Sequence, residues 1–288
     1  MASGSAEQRG AEIAALEGVI HARRCNPQVG DWLSNIKPDT ADEMTKAQIR
    51  EIKRSFNRAT KVPGDLAQLI ARTTSTAQGK WASARADNDF PAFVPVLEEV
   101  LNLKQQEGQA LAENADVYDT MLTDYEPGAT AKKLSIMFDA LRPGLVELRG
   151  RILEKDPAVK LRGPFDEPTQ MKISTLLAET YGYDLTRGRI DKAVHPFSSG
   201  SGQDVRITTR TDLQDPFNCF YSTIHEVGHG SYEQNIDQKY TLTAIGQGAS
   251  MGVHESQSRI YENQLGRSRA FTTWLFNQMK QQFGDFGI

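Results

Sequence analysis

His225-Glu226-Val227-Gly228-His229 places two imidazoles four residues apart with a carboxylate beside the first. On a helix, residues i and i+4 lie on the same face, so both rings can reach one metal ion. Neutral imidazole nitrogens hold Zn²⁺ at about 2.0–2.1 Å, and a fourth position left to water lowers that water's pKa to about 7. Glu226 is then placed to take the water's proton as it attacks a carbonyl, and to pass it to the leaving amine. With five histidines in the chain, a chance pattern of this kind is rare, about one such chain in a hundred. The plain alternative is a helix carrying two surface histidines.

The elements around the motif read as a helix. Asp215-Pro216 is an N-cap followed by proline at the first helical position, and Phe217, Phe220, Tyr221 and Ile224 repeat at the spacing of one buried stripe. Gly228 and Gly230 each cost a helix about 1 kcal/mol relative to alanine. Their presence implies close backbone approach by another segment or by substrate, or else ordinary tight helix packing.

A catalytic metal needs a third protein ligand. Glu233 follows His229 by four residues, but it lies about 12 Å along the helix axis from His225, too far to share an ion with it on one straight helix. Tyr232 and Asn235 stand where the extended zincin pattern needs a glycine and a third histidine. The ligand must therefore come from a segment that folds back. Gly246, Gly248 and Gly252 punctuate such a return, and His254-Glu255-Ser256-Gln257-Ser258-Arg259 then opens a second helix continuing through Ile260, Tyr261 and Leu265. Glu255 leads and His254 competes. Glu255, Arg259 and Glu262 share one side of that helix, where Arg259 could orient a ligating carboxylate.

These motifs, taken in order, resemble the carboxypeptidase Taq family of thermostable metallocarboxypeptidases: His195-Pro196-Phe197, then Asp204-Val205-Arg206-Ile207-Thr208-Thr209, then HEVGH, then GVHESQSRIYEN. The likeness continues through YEQNID and GRSRAF, covers most of residues 165–280, and is looser in the N-terminal part. It implies a zinc metallocarboxypeptidase that removes single residues from the free C-termini of peptides. By that resemblance His225, His229 and Glu255 are the zinc ligands, Glu226 is the general acid/base, Co²⁺ is a substitute metal and the protein is a homodimer.

Family members are longer, and motifs C-terminal to the HESQ helix supply an arginine and a histidine for the substrate carboxylate and the scissile carbonyl. The resemblance thus implies a chain shortened at the C-terminus, and at the N-terminus, where Met1 stands at an internal methionine. The alternative reading is a catalytically incomplete metal-binding fragment of the family, acting as a structural or interaction module. A third is an endopeptidase or aminopeptidase built on the same zinc core.

A terminal carboxylate is bound best by a bidentate arginine, and Arg206, Arg210 and Arg259 are the nearest candidates in sequence. Residues 204–208 alternate as a strand, with Asp204, Arg206 and Thr208 on one face and Val205 and Ile207 on the other. Such a strand could border the metal cleft and pair with substrate backbone, or be an ordinary amphipathic strand with a structural Asp-Arg pair. His195 by itself reads as a turn or core histidine; the resemblance puts both motifs in the active-site groove. Tyr232, Tyr240 and Tyr261 are candidate oxyanion donors.

Composition bounds the remaining classes. The 288 residues are 39% hydrophobic and 24% charged, with net charge −4 and a pI near 5.8, an ordinary globular balance with no basic stripe for nucleic acid. No apolar stretch is long enough to span a membrane, and the first ten residues lack a signal-peptide core, so a cytoplasmic location is expected. Cys25 and Cys219 lack metal or redox spacing; Cys219 reads as a buried thiol and no disulfide is expected.

The expected fold is mainly α, a helical HExxH zincin-like metallopeptidase with one small β-sheet beside the metal helices. Helical spacing runs near residues 8–24, 40–60, 64–86, 92–113, 130–155 and 168–181, separated by Pro27, Pro38, Pro63, Pro127-Gly128, Pro157 and Gly163-Pro164, with Pro143 breaking or kinking the fifth. Strand signal lies at 189–194 and 203–210, joined across a Ser-Gly-rich turn at 198–202. Residues 1–164 form the N-terminal helical region and 165–288 the metal-binding region, read as one continuous fold. Heptad-like stretches in the N-terminal half read as bundle packing.

Overall fold

The computed structural model describes residues 3–37 and 41–288, which group into two compact units, 1–131 and 132–288. The division read from motif content, at 164/165, is a different partition of the same chain. Pro38, expected as a separator, lies outside the described residues.

The first unit holds α1 (Ala6–Arg24), α2 (Pro27–Asn35), α3 (Glu43–Lys61), α4 (Gly64–Ala86), α5 (Phe90–Ala112) and α6 (Val117–Leu122). Its starts are capped by side chains that satisfy otherwise unpaired N–H groups: Asn26 caps α2, Asp42 α3, Asp89 α5 and Asp116 α6. Pro27, expected as a break, is the first residue of α2, because a proline at that position surrenders no helical hydrogen bond. α4 packs between α1 and α5. On α5 the buried Glu107 is gripped by Arg58 of α3 (2.8 Å) and by Lys104 (2.7 Å), and Arg58 also clamps Asp124.

The second unit opens within α7 (Ala131–Leu153), which runs unbroken through Pro143, so of the break or kink expected there the break does not occur. α8 (Glu167–Thr180) follows, then strands β1 (Ile190–Lys192), β2 (Ser198–Ser201) and β3 (Asp204–Thr209), then α9 (Pro216–Gln234), α10 (Met251–Arg259) and α11 (Arg269–Phe283). The sheet order is β1-β3-β2, with β1 parallel and β2 antiparallel to β3. The Ser-Gly segment read as a turn is therefore itself a strand. The turn is the two residues Gly202-Gln203, with Gly202 in the left-handed region at φ 59°. β3 alternates as expected at 204–207, with Asp204 and Arg206 exposed and Val205 and Ile207 buried, but Thr208 is buried too.

Two apolar clusters support α9. Phe220 and Ile224 join Phe165, Ile173, Leu177, Leu275 and Met279, while Val227 joins Ile207, Ala178 and Tyr183. Each such large side chain contributes about 1.5–3 kcal/mol by leaving water. Phe217, expected in the buried stripe, is 37% exposed, because the first turn of α9 projects beyond the packed layer. Among the described residues no helix is long and apolar enough to cross a membrane, and Cys25 and Cys219 are free thiols.

Candidate metal centre

α9 starts as its sequence dictates: Asp215 accepts from the Phe217 N–H (3.0 Å) and Pro216 occupies the first turn. Two residues before the motif the Thr223 hydroxyl meets those of Ser174 (3.1 Å) and Thr209 (3.2 Å), tying α9 to α8 and β3. A buried, fully bonded hydroxyl cluster of this kind fixes the helix against rotation and sliding. His225 and His229 therefore project from a rigid element.

Gly228 lets α10 close against α9, and Gly230 admits the Tyr183 ring. A Cβ on Gly228 would lie 2.5 Å from Ser258 Cα, and one on Gly230 would lie 2.8 Å from the Tyr183 ring. Close helix packing thus accounts for Gly228, with α10 as the approaching segment. Ser250 caps α10 by accepting from the Val253 N–H (3.1 Å), so the helix starts at Met251, three residues before the HESQ run. Residues Ile260–Leu265 then continue as a π-helical turn closed by Gly266 N–H donating to the Tyr261 carbonyl (2.8 Å). Such one-residue expansions recur at functional sites, where they re-aim side chains.

This packing converges His225, His229 and Glu255. Nε2 of His229 is 3.2 Å from Nε2 of His225, and Oε2 of Glu255 is 3.5 Å from the first histidine's Nε2 and 3.2 Å from the second's. Ligands about 2.0–2.1 Å from a tetrahedral ion sit about 3.3 Å from one another. The three separations match that edge, so the donor set fits a divalent ion of this size. Burial, with the neighbouring His225 and His254, holds His229 well below the usual imidazole range and therefore neutral, as a ligand must be. Burial raises the Glu255 carboxyl, but His225 and the Arg259 guanidinium outweigh it and hold the group below its ordinary value.

His254, the competing ligand, and Glu233, excluded by its distance along the helix, both lie outside the donor triangle. His254 sits behind His229, ring nitrogen to ring nitrogen, and Glu233 bonds His254 rather than facing the donor triangle. Arg259 bridges Glu255 (2.8 Å) and Glu262 (3.0 Å). Glu262 in turn meets Nδ1 of His225 at 2.9 Å, a contact that sequence reasoning did not assign. The shared helix side of Glu255, Arg259 and Glu262 was the available signal; the π turn that aims Glu262 at His225 has none.

Glu226 is buried beside the first histidine. Desolvation, reinforced by the charge on Glu255, raises its carboxyl to about 7. A carboxyl near neutrality can both take and release a proton at working pH.

The remaining candidates are dispersed. Arg206 is exposed and bidentate on Asp204 (2.8 and 2.7 Å), and Arg259 is committed to the two glutamates. Arg210 is half-buried and has no ion pair among the described residues. His195 is exposed in the bend between β1 and β2. Tyr232 stacks on His254 with centroids 4.5 Å apart, Tyr240 lies under Lys239, and Tyr261 packs with Tyr181 in the core.

A mainly helical fold with an HExxH helix and a carboxylate delivered from the next helix defines a candidate metal-dependent hydrolase whose donor set is two histidines and one glutamate. The chain belongs to the carboxypeptidase Taq (M32) metallopeptidase family, whose model matches residues 1–287. It is 35% identical to thermostable carboxypeptidase 1 of Thermus thermophilus over 98% of its own length and 58% of that protein's. The crystal structure of BsuCP superposes with a TM-score of 0.92 at 30% identity, covering 99% of this chain and 59% of that one. The M32 carboxypeptidase from Deinococcus radiodurans R1 gives a TM-score of 0.84 at 35% identity, over 98% of this chain and 58% of that one. The chain thus spans a little over half the length of the relatives it matches.

Proposed function

We propose that the protein is a zinc metallocarboxypeptidase that removes single residues from the free C-termini of peptides. The observation that carries the reading is the donor triangle of His225, His229 and Glu255 beside the buried Glu226. Family membership and the carboxypeptidase relatives support the choice of peptide substrate. Two imidazoles and one carboxylate favour zinc over the oxygen-liganded Mg²⁺ and Ca²⁺, with Co²⁺ able to replace it. When bound, zinc supplies Lewis-acid polarisation of the scissile carbonyl and activation of a water.

The residues then divide the work. His225, His229 and Glu255 would hold the ion, with Arg259 locking the unligated oxygen of Glu255. Glu226 takes the proton of the attacking water on a carboxylate oxygen. It then delivers that proton to the nitrogen of the departing amino acid. Its carboxyl near 7 suits both transfers at neutral pH.

The test is Glu226→Gln. The variant is expected to bind one zinc per chain as the parent does and to lose hydrolysis by 10²-fold or more, on the order of the contribution of general acid/base groups. Equal turnover in the variant removes Glu226 from the role.

A second reading is favoured by the commitment of Arg206 and Arg259 to carboxylates of this chain: the same metal centre without turnover, in a chain acting as a structural or interaction module. In that case zinc binds and no peptide is shortened. A cytoplasmic location and a homodimer complete the proposal, the second resting on family resemblance and checked by sedimentation.

A further inference from the structure

Behind His229 lies a pair of side chains that the metal reading leaves without a role. Nδ1 of His229 is 2.6 Å from Nδ1 of His254, and Nε2 of His254 is 2.8 Å from Oε1 of Glu233, whose side chain is 13% exposed. The proton positions follow from the acceptor end. A carboxylate only accepts, so His254 Nε2 carries a hydrogen and donates to Glu233. With its hydrogen on Nε2, the His254 ring offers Nδ1 as an acceptor, and the proton between the two rings then belongs to His229 Nδ1. That assignment leaves the lone pair of His229 at Nε2, the atom that faces His225 and Glu255 at 3.2 Å from each.

The relay is held from three sides. Glu233 lies one turn beyond His229 on α9, so both ends of the relay stand on one rigid element. Tyr232 stacks on the His254 ring, with planes 33° apart. A Cβ on Gly248 would lie 2.8 Å from His254 Cδ2, so the loop before α10 closes against the edge of the same ring. His225 receives the equivalent support directly, from Glu262 on its Nδ1. The two histidines are thus oriented by two carboxylates, one through a single bond and one through an interposed imidazole.

We propose that His254 and Glu233 are positioning residues, a relay that fixes His229 in its Nδ1–H tautomer and turns Nε2 toward the metal. The proposal rests on the metal reading above and extends it to residues that touch neither the ion nor the substrate. Partners of this kind on metal-bound histidines change metal affinity by 10–100-fold.

The test combines two measurements on wild type, His254→Phe, His254→Asn and Glu233→Gln. Long-range proton–nitrogen correlation spectra of the histidine rings in the metal-free protein read the tautomer of His229, and chelator competition reads zinc affinity. His254→Phe keeps a ring against Tyr232 but has no acceptor; His254→Asn restores an oxygen near the Nδ1 position. The expected result is an Nδ1–H tautomer in wild type, and mixed tautomers with zinc bound 10–100-fold more weakly in His254→Phe. His254→Asn is expected to recover most of the affinity. A wild-type His229 protonated at Nε2, or His254→Phe binding zinc within twofold of wild type, overturns the relay. If wild type takes up no zinc, the metal reading fails, and the tautomer spectra still decide the relay. Should His254→Phe not fold, Glu233→Gln carries the affinity arm, with unchanged affinity and tautomer overturning the proposal.

Discussion

Glu226 combines two properties that pull against each other: it is buried, and a base must ionise. Its carboxyl sits at about 7 in the folded protein, against about 4.3 for a free glutamate. Between those values the folded state binds the extra proton, so in the metal-free protein stability falls as pH rises from about 4.3 to 7, and the loss is complete above that. The difference corresponds to about 4 kcal/mol. Glu226→Gln removes the cost. Urea unfolding of metal-free protein is expected to show the variant more stable than wild type at pH 8 by up to about 4 kcal/mol and equal to it at pH 4. Equal stability at pH 8 would mean the carboxylate is solvated or paired. Glu255→Ala is expected to weaken zinc by two orders of magnitude or more, since it would remove one of the three proposed protein ligands; unchanged stoichiometry and affinity would pass the ligand role to another carboxylate or to His254.

The helices bearing the site owe their spacing to glycine. At Gly228 an added methyl would meet the Ser258 backbone at 2.5 Å, with no flexible side chain to give way. Gly228→Ala is expected to destabilise by about 1–3 kcal/mol and to weaken zinc, because α10 and Glu255 must move. Gly79→Ala, in the open interior of α4, meets nothing within 4 Å and is expected to stabilise by about 0.5–1 kcal/mol. Thermal unfolding of the two variants separates packing from propensity; destabilisation by both would contradict the account. In the first unit, burial raises the Glu107 carboxyl while Lys104 and Arg58 together pull it below its ordinary value. Its stabilisation is therefore present above the unfolded pKa and lost as pH falls below about 4. Glu107→Gln, leaving Arg58 and Lys104 half exposed, is expected to cost about 2 kcal/mol at pH 7, less than a fully buried pair, with the difference shrinking at pH 3.

Much of this scale was legible in the residues. The cap at Asp215, the proline at 216 and the three-to-four spacing after it are local signals, and α9 follows them. Glu255 came from ordered motifs, since spacing alone left His254 open. The rest depends on contacts distant in sequence. β2 is a strand because β3 offers it partners, although Ser198-Ser199-Gly200-Ser201 has no alternation of its own. His254 and Glu233 are 21 residues apart and meet only because Gly228 lets two helices close. α11 carries Leu275 and Met279 into the core, yet it was not among the expected helices.

For the whole molecule, the exposed face of one helix bears on association. On α7, Phe138, Leu141, Leu145, Leu148 and Ile152 follow alternating spacings of three and four and are between 49% and 60% exposed. A continuous apolar stripe of that spacing favours helix association. Sedimentation velocity is expected to show concentration-dependent association that Leu141→Glu with Leu145→Glu reduces while zinc binding is kept; association unaffected by the pair would exclude α7 as its cause. The most direct test of the proposed activity uses an N-acetylated peptide with a free C-terminus and the same peptide amidated, each incubated with the zinc-loaded chain and followed by mass spectrometry. The account predicts stepwise loss of single residues from the free C-terminus and none from the amidated peptide. Cleavage of neither, or of both alike, would contradict it.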